Sequence, residues 1–311
     1  MAFSRFLDPK NDFLFKRLFG SEKNKDLLIS FINSILSLKG DESVQDVTYL
    51  KTNQDPEIRY KKQSAVDVLC TDQRGTQFII EMQVAKFTGF EERAQYYAAK
   101  AYINQMNSGG EYEHLKEVIF IALTDYVMFP HKAAWKSDHV TLDKKTKEQD
   151  LKAFSFTFIE LPKFTKTIEE LETLEDKWVY FFKHANQTMD SQIDAYIGDD
   201  VVLRKAFDES TKYSMTEAEW NTYEQELKHE RDARAIETYN LREAKAEGKA
   251  EGIEEGMEKG MEKGKAEGEK AKAMEVARGI LAKKLDIKLI AELTGLTEKN
   301  IQTLSGDDHG L

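Results

Sequence analysis

Cysteine is almost missing from this chain: its 311 residues hold one, Cys70. A disulfide framework is therefore excluded, and a reducing compartment fits. Long hydrophobic runs are missing too. No stretch of about 18 apolar residues occurs, so no membrane-spanning helix is expected. The opening MAFSRFLDPKNDF lacks the apolar core of a signal peptide. The expectation is a soluble, cytoplasmic protein. The six histidines show no paired ligand spacing, which argues against a zinc site. With neither a phosphate-cradling glycine loop nor a nucleophile elbow, nucleotide hydrolysis and serine chemistry are not expected.

What is present suffices for a folded core and more. Hydrophobic residues make up 41% of the chain and aromatics 11%, whereas the 32% of charged residues points to a solvated helix. The net charge of −11 argues at first against nucleic acid as a partner. Its distribution softens that objection. Residues 1–110 carry 15 Lys and Arg against 14 Asp and Glu; residues 111–311 carry 30 against 42.

Taken in order, residues 11–36 read as helix broken at Gly20, with Asp12 and Lys16 four apart on one face. A strand is expected over 44–52, followed by a polar passage through Asp55-Pro56-Glu57. Residues 65–70 and 77–83 read as two strands joined by a polar, glycine-bearing turn. A long helix over 87–106 carries Arg93, Tyr96, Tyr97, Lys100 and Tyr102 and ends at Asn107-Ser108-Gly109-Gly110. Residues 118–123 and 154–161 read as strands, 128–150 as an irregular excursion, and 168–185 as helix. This order implies a mixed α/β layer structure.

The hairpin carries the chemistry. Side chains alternate along a strand, so Glu81 and Gln83 emerge on one face. Asp67 stands among apolar residues of the partner strand. Two carboxylates in apolar strands are costly unless something pairs with them, and a divalent cation is the simplest remedy. A half-exposed hairpin facing water accounts for the same residues.

From about residue 190 the strands stop. Residues 191–240 read as a helical connector. In 241–275 glycine recurs at every fourth position, from Gly248 to Gly268, with 8 basic and 10 acidic residues. Each interior glycine weakens a helix by about 1 kcal/mol against alanine. The glycines form a groove that admits a second helix, or the segment is a solvated linker; both readings stand. Residues 276–311 read as a helical hairpin that turns at Gly295, with Thr297 capping its second helix. It suits self-association better than DNA reading, because only Lys299 offers positive charge on that second helix.

Several stretches together resemble the PD-(D/E)XK nuclease superfamily, and within it the Rpn family of recombination-promoting nucleases and transposases. They are Asp12 to Gly20, Asp67 to Cys70 with Glu81-Met82-Gln83, the Arg93/Tyr97/Tyr102 helix, and Gly109-Gly110 with Tyr112; the resemblance covers roughly residues 5–310. It implies a restriction-endonuclease-like mixed sheet flanked by helices over residues 1–190, followed by an all-α C-terminal tail. It also implies Mg²⁺ held by Asp67, Glu81 and the Met82 carbonyl, with DNA as partner. Gln83 stands where the superfamily's lysine usually stands, and an amide supplies neither positive charge nor a base. Lys16 is the candidate for the missing charge, with Asp12 as a further acidic group; an ordinary surface ion pair explains the two equally well. Arg93, Tyr97 and Lys100 are the candidate nucleic-acid contacts, packing being the alternative for the tyrosine. The expectation is a Mg²⁺-dependent DNA endonuclease that promotes recombination and self-associates through its C-terminal helices. Its rival is a catalytically weak or inactive nuclease-like DNA-binding and assembly module.

Overall fold

The computed structural model describes residues 4–51, 66–106 and 111–306. The polar passage at Asp55-Pro56-Glu57, the first strand position at Ala65 and the turn at Asn107-Ser108-Gly109-Gly110 lie outside the described residues. The chain forms two compact units, Met1–Glu230 and Arg231–Leu311.

The first unit opens with α1 (Asp12–Phe19) and α2 (Lys25–Ile35). The Asn11 side chain accepts the Leu14 amide at 3.2 Å and starts α1; Gly20 ends it by donating to the Lys16 carbonyl at 2.7 Å. Then come β1 (Val47–Tyr49), β2 (Val68–Asp72), β3 (Gln77–Gln83), α3 (Phe90–Ile103), β4 (Val118–Thr124), β5 (Lys136–Val140), β6 (Phe154–Glu160) and α4 (Leu174–His184). After α5 (Asp190–Ile197) and α6 (Val201–Glu209), α7 (Glu217–Leu281) begins. Among the described residues, six strands form one mixed sheet in the order β1-β2-β3-β4-β6-β5. The β1–β2, β2–β3 and β5–β6 pairs are antiparallel; β3–β4 and β4–β6 are parallel. This is the expected mixed sheet flanked by helices.

Strand alternation sorts the core into two layers. Val68, Cys70, Phe78 and Ile80 point to the face covered by α1, α2 and α4, where Phe15, Phe19, Phe31, Trp178 and Phe182 pack ring against ring. Leu69, Ile79, Phe120 and Phe158 point to the other face, where α3 lies. The small Ala94, Ala98 and Ala101 let that helix sit close to the sheet.

Three expectations are corrected. Asp67 stands just before β2 rather than within a strand, while Thr71 and Asp72, read as loop, extend β2. The excursion over 128–150 contains the edge strand β5, whose sequence KSDHV has no apolar alternation and which forms by pairing with β6. The helix read over 168–185 starts later, at Leu174, where the Thr173 hydroxyl accepts the Asp176 amide and the Asp176 carboxylate accepts the Thr173 amide.

In the second unit, the end of α7 packs with α8 (Ile287–Thr294) and α9 (Glu298–Gly306) around Ala277, Ile290, Leu296 and Ile301. Gly295 takes the left-handed conformation at φ 70° that turns the chain between the two short helices. The Thr297 hydroxyl accepts the Asn300 amide at 3.3 Å, the expected cap. No helix among the described residues is long and apolar enough to cross a membrane.

Candidate active site

The C-terminal end of β3 passes the start of β2. The register Val68↔Ile80, continued by one residue, sets Asp67 opposite Glu81. The contacts agree: the Asp67 amide donates to Glu81 Oε1 at 3.3 Å, and the Met82 amide donates to Asp67 Oδ2 at 2.9 Å. Glu81 is 3% exposed. The two acids face the α3 side of the sheet together with Leu69 and Ile79.

Gln83 follows on the same face. Its amide nitrogen donates to Glu81 Oε2 at 2.8 Å, and its carbonyl accepts from Arg93 Nη2 at 2.8 Å. Arg93 lies on α3 with its guanidinium over the Phe90 and Tyr97 rings, at 5.0 and 5.8 Å from their centroids. Its Nε is buried and has no hydrogen-bond partner among the described residues. The backbone of Gln83 is fixed from the other side, where the Asp125 amide donates to its carbonyl at 2.9 Å.

From the opposite direction α1 brings Lys16 and Asp12. The Lys16 amine stands 2.7 Å from Asp12 Oδ1 and 3.5 Å from Asp67 Oδ1. So the ion pair within the helix also reaches the hairpin. α1 is held in that position from behind: Arg17 bonds the Glu209 and Ser214 carbonyls at 2.6 Å and Glu219 at 3.1 Å, and the Tyr49 hydroxyl donates to the Phe19 carbonyl at 2.8 Å.

Burial and mutual repulsion make the two carboxyl groups hold their protons more tightly. Burial, and then the charge of Asp67, push Glu81 up to about 8, against the pull of Arg93. Burial also raises Asp67, although the Met82 amide and Lys16 oppose the rise. Burial pulls Lys16 down, but its hydrogen bond with Asp12 and the charges of Asp67 and Asp12 together hold it above its ordinary value. Burial raises the Tyr97 phenol; Arg93 opposes that rise, while Glu81 and Asp67 add to it.

The structure thus brings Asp12, Lys16, Asp67, Glu81, Met82, Gln83, Arg93 and Tyr97 into one neighbourhood. The Lys100 amine lies 5.9 Å from the centre of the Tyr96 ring. Arg93, expected as a nucleic-acid contact, bonds to the Gln83 side chain through Nη2. Tyr96, not Tyr97, is the exposed aromatic of this helix at 54%, and Phe87 just before the helix is exposed as well. Tyr102 packs on Phe154 with ring centres 5.1 Å apart.

Asp67, Glu81 and the Met82 carbonyl would offer oxygen ligands, the chemistry that suits a hard divalent cation such as Mg²⁺. The raised Glu81 fits such an ion, since a nearby positive charge would relieve what keeps the carboxyl protonated. A second group with ligand-like spacing lies elsewhere: Glu111, Glu113 and His114 bring one ligand atom each within 4.8 Å of one another. Sequence reading, which looked for paired histidines, missed it. All three are exposed on one short turn.

Neither a curated protein nor a solved structure matches the chain. The family model of the PD-(D/E)XK nuclease family transposases matches residues 9–239, a span that contains α1, the whole sheet and the Asp67–Glu81–Gln83–Arg93 cluster. With that match over most of its length, the chain belongs to the PD-(D/E)XK nuclease family transposases, and its first unit is a nuclease-like domain.

Proposed function

We propose that this protein is a divalent-metal-dependent DNA endonuclease, with the ion held by Asp67, Glu81 and the Met82 carbonyl. One observation carries the reading: a buried carboxylate, Glu81, and a half-buried one, Asp67, face each other at the open end of a β-hairpin, and an amide and an arginine follow on the same face. The Met82 amide bonds to Asp67, and a residue's N–H and C=O point to the same side of a strand, which directs its carbonyl toward Asp67. When bound, the ion would polarise a phosphodiester and lower the pKa of an attacking water.

The chain's own residues do the rest. Gln83 cannot act as a base, but its amide is oriented at both ends, and Arg93 behind it supplies the fixed charge that the amide lacks. Lys16 adds a mobile cation at the outer edge, within reach of a phosphate oxygen. Tyr96, with the Lys100 amine beside its ring, and Phe87 offer exposed faces for bases along α3. The implied cellular role is DNA cleavage that promotes recombination.

Self-association through the C-terminal helices completes the proposal. Ile253, Met257 and Met261 recur at every fourth residue of α7, exposed and next to Gly252, Gly256 and Gly260. Such a stripe beside small residues suits a second helix of the same kind.

A second reading, a binding and assembly module without activity, is favoured by Gln83, whose amide supplies neither positive charge nor a base and bonds to Glu81 and Arg93. Nicking of supercoiled plasmid with Mg²⁺ separates the two. Cutting by the wild type but not by Asp67→Ala or Glu81→Ala supports the endonuclease. Equal inertness of all three, with DNA still bound, supports the module. Equal cutting by all three would overturn the assignment of the site.

A further inference from the structure

The sheet is wider than α3. That helix covers β3 and β4 on its face, leaving part of β6 and β5 open beside it. There the structure has a groove of about 330 Å³ with an aromatic floor. Phe154, Phe156 and Phe158 alternate along β6 onto this face, and Phe129 closes one end. Phe129 and Phe158 meet edge to face at 5.4 Å, and the His139 ring lies 5.3 and 5.5 Å from them. Phe154 and Phe156 are only half-buried.

The rim is polar and mixed in character. Gln95 offers an amide, Thr141 a hydroxyl, Glu91 a carboxylate and His139 an imidazole. Burial and the neighbouring Lys132 lower the His139 pKa, so the ring is uncharged near neutrality. The Lys132 amine stands 3.2 Å from His139 Nε2 and 4.8 Å from the centre of the Phe129 ring, a cation at the mouth of an otherwise apolar slot.

We propose that this groove seats an unpaired nucleobase of the nucleic-acid strand, stacked on the β6 phenylalanines, with its edge toward Gln95, Thr141 and Glu91 and its phosphate toward Lys132. The proposal rests on the nuclease reading above and adds a recognition site to it. Flat π-faces on a sheet with donors and acceptors at the edge suit a base, and a lysine at the mouth suits its phosphate. An aliphatic peptide would need neither. The groove also stands in a definite relation to the carboxylates. Glu91 and Gln95 lie on one flank of α3, and Arg93 and Tyr97 on the other. A helix about 10 Å across therefore separates the two, a span of about three stacked nucleotides. The groove would then read a strand a few nucleotides from the point of cleavage.

The test uses the full chain in EDTA, which prevents cutting. Fluorescence anisotropy would compare a labelled oligothymidylate of about 12 nucleotides with an abasic strand of the same length. Wild type should prefer the strand with bases by about 5- to 150-fold, the range for one stacked base. Phe156→Leu keeps apolar volume but loses the π-face, and should remove the groove's share of that preference, Tyr96 and Phe87 keeping theirs, while leaving the abasic affinity unchanged. Gln95→Ala, at the rim, should weaken the preference without touching the floor, and serves if Phe156→Leu fails to fold. Equal preference in wild type and both variants overturns the proposal. So does a wild type that nicks plasmid duplex but shows no preference for bases, in which case the nuclease reading survives alone. A wild type that neither binds nor cuts removes both. A change of oligomeric state in Phe156→Leu would assign the groove to a second copy of the chain and overturn the base.

Discussion

Arg93 donates to the side-chain carbonyl of Gln83 at 2.8 Å, and the same amide donates to Glu81. The guanidinium lies over the Phe90 and Tyr97 rings. The carboxylate, the amide and the arginine therefore form one chain of hydrogen bonds. Removing one member misorients the next.

Arg93→Ala should lower cleavage by about 100-fold, the scale of one lost electrostatic or positioning contact in a site of this kind. It should also move the acid limb of the pH–rate profile upward. Arg93 favours the ionised form of Glu81, so without it that carboxyl holds its proton to higher pH. Arg93→Lys should recover part of the rate and return the limb toward its original position. An unshifted limb would show that Arg93 acts only by packing.

Metal-free stability should fall as pH rises toward 8. Glu81 ionises near 4.5 when unfolded and near 8 when folded. Its contribution to stability is therefore complete below about 4.5 and is lost through the interval up to about 8. Mg²⁺ needs the ionised carboxyl, so its thermal shift should be larger at about pH 8 than at about pH 6. Glu81→Gln should flatten the metal-free pH dependence and abolish the Mg²⁺ shift. Melting curves at the two pH values, with and without the ion, check both halves.

How much of this was legible in the sequence follows from which interactions are local. Alternation puts Glu81 and Gln83 on one face whatever the neighbours do, and the apolar Phe78-Ile79-Ile80 marks the strand. The Asp12–Lys16 pair follows from helical spacing, but the reach of Lys16 to Asp67 depends on how α1 docks against the hairpin. Helical spacing likewise joins Arg93 to Tyr97 without saying which flank faces the sheet end. That is decided by Ala94 and Ala98 against Ile79 and Phe120, contacts with partners distant in the chain. β5 has no sequence signal of its own because its register comes from β6.

Lys16→Ala should reduce cleavage about 10-fold while changing stability by no more than about 0.5 kcal/mol. Its amine is exposed, and an exposed ion pair contributes little to folding. Asp12→Asn should have a smaller effect, since it orients Lys16 without touching Asp67. Steady-state rates together with denaturant midpoints separate the roles. Unchanged rates in both variants would make the pair an ordinary surface contact.

The glycines of α7 give a prediction with two readouts of opposite sign. A Cβ built on Gly252, Gly256 or Gly260 meets nothing within 4 Å among the described residues of the single chain. Alanine at each should therefore strengthen the helix by about 1 kcal/mol, because glycine is the costlier residue in a helix interior. If two such helices pack along the Ile253–Met257–Met261 stripe, the added methyl groups hold their backbones apart. The triple alanine variant should then gain helicity by circular dichroism and lose self-association by sedimentation. More helix with unchanged assembly would show that the glycines make no contact between chains. The self-association would then belong to the hairpin built around Ile290, Leu296 and Ile301.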